Sequence, residues 1–252
     1  MRQALRAEWA KTRTDPFAAW MFGALCVLTV AVSAVTIGMS RCPAAGCGQD
    51  PARLSLAGVY LGQAVAALFG VLAIGGEYAT GMIAVTLTAM PRRGRVLAAK
   101  ALVLAAPVLA ASALAVGASM LAGALILPGH GFSGGFDLAG PPMWRAAGCA
   151  ALYLTLVALL GLGVTAVVRD AAVATGAVLG LLYLFPVIAL AAGHRVARLL
   201  EQFGPMSAGT DAMATAGLSG LPLAPWEGLG VVALWTAAAL TLGALALRTR
   251  DA

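Results

Sequence analysis

Six long apolar runs, none of which contains a charged residue, decide what this chain can fold into. They cover residues 17–39, 54–76, 101–127, 146–168, 172–192 and 228–247. A helix of about 20 consecutive apolar residues crosses the hydrocarbon core of a bilayer. We therefore predict an all-α polytopic membrane protein with six transmembrane helices.

The overall composition agrees with this fold class. Only 10% of the residues are charged, against roughly 25% in a typical soluble protein. We therefore expect a single six-helix domain over residues 16–252, with the lipid bilayer as its surroundings. The net charge of +6 comes from basic residues at the ends of the runs, which favours a role in membrane topology over nucleic-acid binding.

Residues 1–15 are expected to form an amphipathic helix on the membrane surface. At helical spacing Met1, Leu5 and Trp9 share one face, and several arginines follow an adjoining stripe. Such a helix would bury Trp9 in the interface and direct its arginines to lipid phosphates. A frayed basic tail is the alternative. A second short interfacial helix is predicted after the fifth run, where Val196, Leu199 and Phe203 recur at helical spacing.

The distribution of basic residues predicts how the chain crosses the membrane. With six spans, both termini lie on one side. The segments on that side hold eleven lysines and arginines, and the segments on the other side hold five. Because cytoplasmic segments carry the excess of Lys and Arg, we expect cytoplasmic N- and C-termini in a multi-pass plasma-membrane protein.

The four cysteines divide by position. Cys26 and Cys149 lie inside apolar runs, where a cysteine is typically a small packing residue. Cys42 and Cys47 share a short polar loop on the predicted outer side, where a disulfide is permitted. Two cysteines without a nearby histidine do not make a metal site, so no metal is expected.

Inside the runs, few residues suggest a specific role. Gln63 is the clearly polar side chain of the second run. A hydrogen bond to a neighbouring helix is the interpretation we favour, and contact with a substrate is the alternative. In the fifth run Gly176 and Gly180 form a G-x-x-x-G face, which predicts close helix packing.

No catalytic residues and no cofactor site are expected in this chain. A phosphate-binding loop needs Gly-Lys-Ser/Thr, and the two lysines, Lys11 and Lys100, both lie in other contexts. Two segments match serine-hydrolase motifs, Gly131-Phe-Ser-Gly-Gly135 and Gly217-Leu-Ser-Gly220, with His130 or His194 as a candidate base. Both segments lie in loops, and a chain with 31 glycines produces such matches by chance.

The charged passage between the second and third runs carries a family resemblance. It reads Glu77-Tyr-Ala-Thr-Gly81, then Leu87-Thr-Ala-Met-Pro91-Arg-Arg-Gly-Arg95, then Lys100. This pattern resembles the passage after the second span in permeases of type-2 ATP-binding cassette exporters. The run from Glu8 to Arg13 is similar to the Trp/Lys/Arg-rich entry of such subunits. Pro205-Met-Ser-Ala-Gly209 is similar to their Pro-Ser-x-Ala-Gly turn.

The resemblance implies a function and partners. The chain would be the membrane subunit of an exporter, paired with a second permease copy or a paralogue. A separate cytoplasmic ATPase subunit would bind the ATP. By resemblance, residues 77–95 would include the helix that docks on the ATPase, with Glu77, Gly81, Pro91, Arg92, Arg93 and Arg95 as the site residues. A solvated loop whose arginines only set topology is the alternative. For the whole chain, the alternatives are a membrane scaffold or sensory partner without transport and, third, a membrane hydrolase.

Overall fold

The structure is a computed structural model that describes residues 8–12, 14, 16–42, 49–83, 93–132 and 140–249. Glu8 to Thr12 are helical. Nine further α-helices follow within the described residues: α1 Pro16–Met39, α2 Pro51–Ser55, α3 Val59–Ala79, α4 Arg93–Ile126, α5 Pro141–Val168, α6 Ala171–Ala191, α7 His194–Phe203, α8 Pro205–Asp211 and α9 Pro225–Thr249.

Six of these helices are long and apolar enough to cross a membrane, namely α1, α3, α4, α5, α6 and α9. The all-α, six-span fold predicted from the apolar runs is therefore confirmed. Consecutive spans alternate in direction, so the bundle has two ends. We call the end that holds Glu77 and Lys100 the ion-pair end, and the opposite end the Asp50 end.

Two span boundaries differ from the predicted ones. The second span begins at Val59, because Pro51–Ser55 forms a separate short helix that Asp50 caps through its side chain. The third span, α4, begins at Arg93 and runs without a break past Pro107. Lys100 therefore lies in the second turn of a transmembrane helix, and the polar connection between the second and third spans is shorter than the sequence indicated.

Helix α5 lies at the centre of the bundle. In its most apolar window 67% of the residues are buried, compared with 17% in α6 and 22% in α9. The burial of α5 depends on close approach of the helix backbones. A Cβ at Gly70 of α3 would lie 1.8 Å from the carbonyl oxygen of Ala158 in α5. On the other side of α5, a Cβ at Gly163 would lie 2.7 Å from the carbonyl carbon of Ala239 in α9. Such contacts are how helices pack in lipid.

The connection between the fifth and sixth spans forms two short helices at the Asp50 end. The amphipathic helix predicted around Val196 is present as α7, and Val196, Leu199 and Phe203 are exposed. The segment Pro205–Gly209, which is similar to a turn of the exporter permeases, lies in the helix α8. Gly209 of α8 leaves room for the ring of Tyr153, since a Cβ there would lie 2.1 Å from its Cε2 atom.

Candidate functional site

Four charged side chains meet at the ion-pair end. Glu8 and Lys11 come from the N-terminal helical segment, Glu77 from the last turn of α3, and Lys100 from the second turn of α4. Lys100 Nζ lies 2.8 Å from Glu8 Oε2 and 2.7 Å from Glu77 Oε1. Lys11 Nζ lies 2.9 Å from Glu77 Oε1 and 3.6 Å from Glu8 Oε1. We call these four residues the ion cluster.

The ion cluster is shielded from solvent. The side chain of Lys100 is 4% exposed, that of Glu8 9%, that of Glu77 12% and that of Lys11 43%. Burial of an unpaired charge is very unfavourable, so buried ions are found paired. With two carboxylates and two ammonium groups, the cluster has no net charge.

Lys11 lies outside the spans, in the N-terminal helical segment. Burial alone would lower the pKa of its ammonium group. Its hydrogen bond to Glu77 and the negative charge of that carboxylate outweigh this effect, so the pKa is raised above 10.5. Lys11 therefore stays protonated throughout the physiological pH range.

A cavity of about 260 Å³ lies beside the ion cluster. All four charged residues line it, and the rest of its wall is mainly apolar, with Phe69, Leu72 and Leu104 among the contributors. The carboxylate of Glu77 uses only its Oε1 oxygen in the ion cluster. Its Oε2 oxygen is buried and accepts no hydrogen bond from any described residue.

The residues predicted to dock on an ATPase lie in different surroundings. Glu77 points into the ion cluster. Gly81 follows the end of α3 in the left-handed conformation, with a φ of 70°, a region in which glycine is favoured. Arg95 is exposed on the first turn of α4. The backbone of Arg93 begins α4, whereas Pro91 and Arg92 lie outside the described residues.

Basic residues from distant parts of the chain lie near the start of α4. The guanidinium group of Arg248, near the end of α9, packs against Gly94, where a Cβ would be 3.3 Å from its Nη2 atom. Arg169 ends α5 and donates to the carbonyl of Ala246 in α9 at 3.2 Å. The ion-pair end therefore combines a buried, neutral cluster with a more exposed basic surface.

A second polar network closes the Asp50 end. Asp50 accepts hydrogen bonds from the backbone of Ala52 and from the backbone and hydroxyl of Thr215, the latter two at 2.6 Å. Arg53 pairs with Asp211, and Arg145 donates to the carbonyl of Ala212 at 3.2 Å. These contacts bind the segment after α8 to helices α2 and α5.

In the middle of the bundle, Gln63 forms a hydrogen bond to a neighbouring helix, as predicted. The hydroxyl of Tyr153 in α5 donates to its Oε1 atom, and both side chains are fully buried. The interpretation of Gln63 as an interhelical hydrogen-bonding residue is confirmed.

The predicted helix-packing glycines make no close contact with the part of the chain that the structure describes. A Cβ built at Gly176 or at Gly180 would meet no atom within 4 Å. The tight contacts are made by Gly70, Gly161 and Gly163 on other helices. Packing on the Gly176–Gly180 face therefore stays a prediction, and it would concern a contact with another chain.

The cysteines agree with the sequence-based division as far as the described residues reach. Cys42 is disulfide-bonded, and Cys26 and Cys149 are free thiols. Cys47 lies outside the described residues, so its pairing with Cys42 stays a prediction. The backbone N–H of Cys42 donates to the carbonyl of His130 at 3.0 Å, which joins the loop after α1 to the end of the third span.

The hydrolase motifs receive no support from the structure. Ser133 lies outside the described residues, and the side chain of Ser219 is not described either. His194 begins the exposed helix α7. Over the part of the chain that the structure describes, no three His, Cys, Asp or Glu side chains are grouped as metal ligands would be.

The sequence analysis missed the role of Glu8 and the pairing of Lys100. Lys100 lies next to an apolar run and Glu8 lies in the segment before the first run, and each charge considered alone indicates an interfacial group. The available signal was that Lys100 is opposite in charge to Glu8 and Glu77, and that all three lie in segments that must meet on one side of the membrane. No protein-family model matches this chain, and no curated protein sequence matches it significantly.

Proposed function

We propose that this chain is the membrane-spanning permease subunit of an ATP-binding cassette exporter. A separate cytoplasmic ATPase would hydrolyse ATP, and this chain would move the substrate across the plasma membrane together with a second permease copy. Both termini and the ion-pair end would face the cytoplasm. The exporter function is inferred from the resemblance of residues 77–100 to the family, and the geometry of the structure supports it.

The observation that carries the proposal is the link between the two helices that flank residues 80–92. Glu77 precedes this segment and Lys100 follows it, and their side chains form an ion pair in the membrane domain. A displacement of the segment is therefore passed to α3 and α4 together. Since α3 packs on the central helix α5, this arrangement suits transmission of a movement from a docked ATPase to the bundle.

The basic surface at the same end supports the proposed orientation. Arg95, Arg169 and Arg248 lie at the ion-pair end, and positive residues favour the cytoplasmic side. The same passage of the sequence carries two further arginines, Arg92 and Arg93. An acidic surface on the ATPase would be the electrostatic complement.

The sparse burial of the outer spans supports pairing with a second permease. In α1, α6 and α9, at most 22% of the most apolar window is buried. The Gly176–Gly180 face of α6 is open and has the small residues that allow close helix approach. We assign this face to the contact between the two permeases.

Co-purification of the wild-type chain with a candidate cytoplasmic ATPase, followed by crosslinking from cysteines placed at residues 80–92, tests the proposal. The same cysteines serve for topology after Cys26, Cys42, Cys47 and Cys149 are replaced. We expect crosslinks to the ATPase, and no reaction with an impermeant thiol reagent in intact cells. A cysteine at Arg53 is the matched control and should react.

Two results would contradict the proposal. Labelling of residues 80–92 from outside would reverse the orientation. Absence of any co-purifying ATPase would favour a membrane scaffold or sensory partner. Crosslinks to the ATPase from the tail around Arg248 alone would place the docking site there and would leave the ATPase as the proposed partner.

A further inference from the structure

Another cavity, of about 420 Å³, lies at the Asp50 end of the bundle. The last turns of α6, the first turn of α3 and the helix α8 form most of its wall, and α7 contributes Glu201. It shares no lining residue with the cavity beside the ion cluster. Its volume is within the roughly 300–1,000 Å³ of sites that take a small organic molecule.

Much of the lining suits an apolar or aromatic body. Four apolar residues contribute to it, namely Pro186, Leu190, Met206 and Pro222. Tyr60 adds an aromatic side chain that is 43% exposed, and the face of a tyrosine ring attracts a cation. An inorganic ion would gain nothing from the apolar side chains, so the lining favours an organic ligand.

The charged side chains of the lining are both acidic. Glu201 and Asp211 line the cavity, and its described lining residues include no lysine or arginine. Asp211 pairs with Arg53, which is not part of the lining. Glu201 forms no hydrogen bond or ion pair with any described residue. With Arg53 counted, one negative charge therefore remains uncompensated at the cavity, and a site of one sign attracts the opposite charge.

Glu201 lies on the side of α7 that faces the bundle. Ala197, Leu200 and Glu201 are half-buried, whereas Arg195 and Arg198 are exposed. Residues 197 and 201 are neighbours on one helix face, and α7 packs on α6 and α8. Neither arginine forms an ion pair with Glu201, so the carboxylate keeps its charge free for a ligand.

We propose that this cavity binds a small organic cation with an apolar or aromatic body. The cationic group lies beside Glu201, with Asp211 as a second carboxylate, and the body packs against Pro186 and Leu190. Such a ligand supplies the positive charge that Glu201 lacks and removes its own apolar surface from water. The site is at the end of the bundle opposite the segment proposed to dock on the ATPase. It needs neither a nucleotide nor a second subunit, so it goes beyond the exporter proposal.

Tetraphenylphosphonium and tetraphenylborate are the matched pair of probes, because they have nearly the same size and shape and opposite charges. Equilibrium dialysis of the purified full chain in a neutral detergent measures binding, with the detergent alone as the blank. We expect saturable binding of the phosphonium ion and a Kd at least about tenfold higher for the borate ion. This ratio corresponds to about one favourable ion pair at an effective dielectric constant typical of a protein surface.

Two charge variants test the role of Glu201. Glu201→Gln keeps the shape of the side chain and removes its charge, and it should raise the Kd for tetraphenylphosphonium about tenfold. Glu227→Gln is the matched control. Glu227 is exposed near the start of α9 at the same end of the bundle and does not line the cavity, so its loss should leave the Kd unchanged.

Two tryptophan variants test the place of binding. Ala189→Trp fills the cavity and keeps both carboxylates, and it should abolish saturable binding of tetraphenylphosphonium. Val187→Trp is the control, because Val187 is 60% exposed on the same helix and does not line the cavity. Size-exclusion chromatography establishes that each variant is folded and monodisperse before dialysis.

Equal Kd values for the two ions would overturn the proposal, because charge would then not be recognised. Unchanged phosphonium binding in Glu201→Gln, or in a folded Ala189→Trp, would also overturn it. An equal loss in Glu227→Gln would indicate a general effect of surface charge and contradict the assigned site. None of these measurements involves the ATPase, so they can fail while the exporter proposal stands, and they can succeed if no ATPase co-purifies.

Discussion

Lys100 Nζ lies 2.7 Å from Glu77 Oε1, and this ion pair joins the transmembrane helices on the two sides of residues 80–92. The pair is nearly inaccessible, with the Lys100 side chain 4% exposed. Glu8 adds a second carboxylate to the same ammonium group at 2.8 Å. One lysine therefore fixes the N-terminal segment, α3 and α4 relative to each other.

Replacing Lys100 by alanine should destabilise the protein strongly. Two carboxylates would remain buried near each other with only Lys11 as a partner, and breaking a buried ion pair in this way costs about 3–5 kcal/mol. Thermal unfolding of the purified variant, measured as loss of monodisperse protein, tests this. Leu102→Ala on the exposed face of the same helix is the control and should change the stability little.

A compensated variant separates charge imbalance from loss of packing. In Glu8→Gln/Glu77→Gln/Lys100→Met the buried charges are removed together, and such replacements are often neutral for stability. We expect its unfolding temperature to approach that of the wild type. If it is as unstable as Lys100→Ala, packing by the lysine stem and not the ion pair is the main contribution.

The hydrogen bond between Tyr153 and Gln63 offers a pair of matched tyrosine variants. Tyr153→Phe would leave the Oε1 atom of the buried Gln63 amide without its donor. The expected loss is about 1–3 kcal/mol. The Tyr78 hydroxyl is buried without a described partner, so Tyr78→Phe should be nearly neutral. Equal effects in urea or thermal unfolding would contradict this difference.

Glycines on different helices should differ sharply in their tolerance of alanine. A Cβ at Gly70 would lie 1.8 Å from a backbone oxygen of α5, so α3 and α5 would have to separate. Overpacking of this kind costs about 1–3 kcal/mol. Gly176→Ala should not destabilise the monomer, since nothing lies within 4 Å of the new atom. Expression level and unfolding temperature in detergent compare the two variants.

The Asp50 network should make stability depend on pH below neutrality. Burial alone would raise the pKa of Asp50. The hydrogen bonds from Thr215, Ala216 and Ala52 outweigh it, so the pKa lies below 3.8. The stability that this carboxylate contributes is therefore complete above about pH 4 and is lost as the pH falls towards its folded-state pKa. Unfolding temperatures between pH 7 and pH 3 should fall less steeply in Asp50→Asn than in the wild type.

Asp211 should give the opposite dependence of stability on pH. Burial raises its pKa above 3.8 and outweighs the hydrogen bond and charge of Arg53. Its protonated form is favoured on folding, so its contribution to stability is present below the unfolded-state pKa and is lost as the pH rises through the folded-state value. Asp211→Asn should therefore gain stability relative to the wild type as the pH rises from 4 to 7. A parallel shift of both variants at all pH values would contradict the two assignments.

The number and type of the spans could be predicted from the sequence because charge-free runs of this length have few alternatives in water. The start of α4 could not be predicted in the same way. Arg93, Arg95 and Lys100 indicate a solvated loop when each charge is considered alone. In the fold, Lys100 is neutralised by Glu8, which is 92 residues away in the chain, and a helix can then contain it. Similarly, nothing local in Gly176 and Gly180 distinguishes them from Gly70, whose tight contact depends on Ala158 of another helix.

The Asp50 carboxylate has a consequence for the biosynthesis of the protein. It is bound by Thr215, which is 165 residues later in the chain. At translation rates of about 5–20 residues per second, Thr215 is made roughly 8 to 33 seconds after Asp50. During this interval the N-terminus of α2 lacks the segment after α8 that binds Asp50 in the finished fold. A ribosome that stops before residue 215 would leave an inserted bundle with one end open, and membrane quality-control proteases would have a distinct target there.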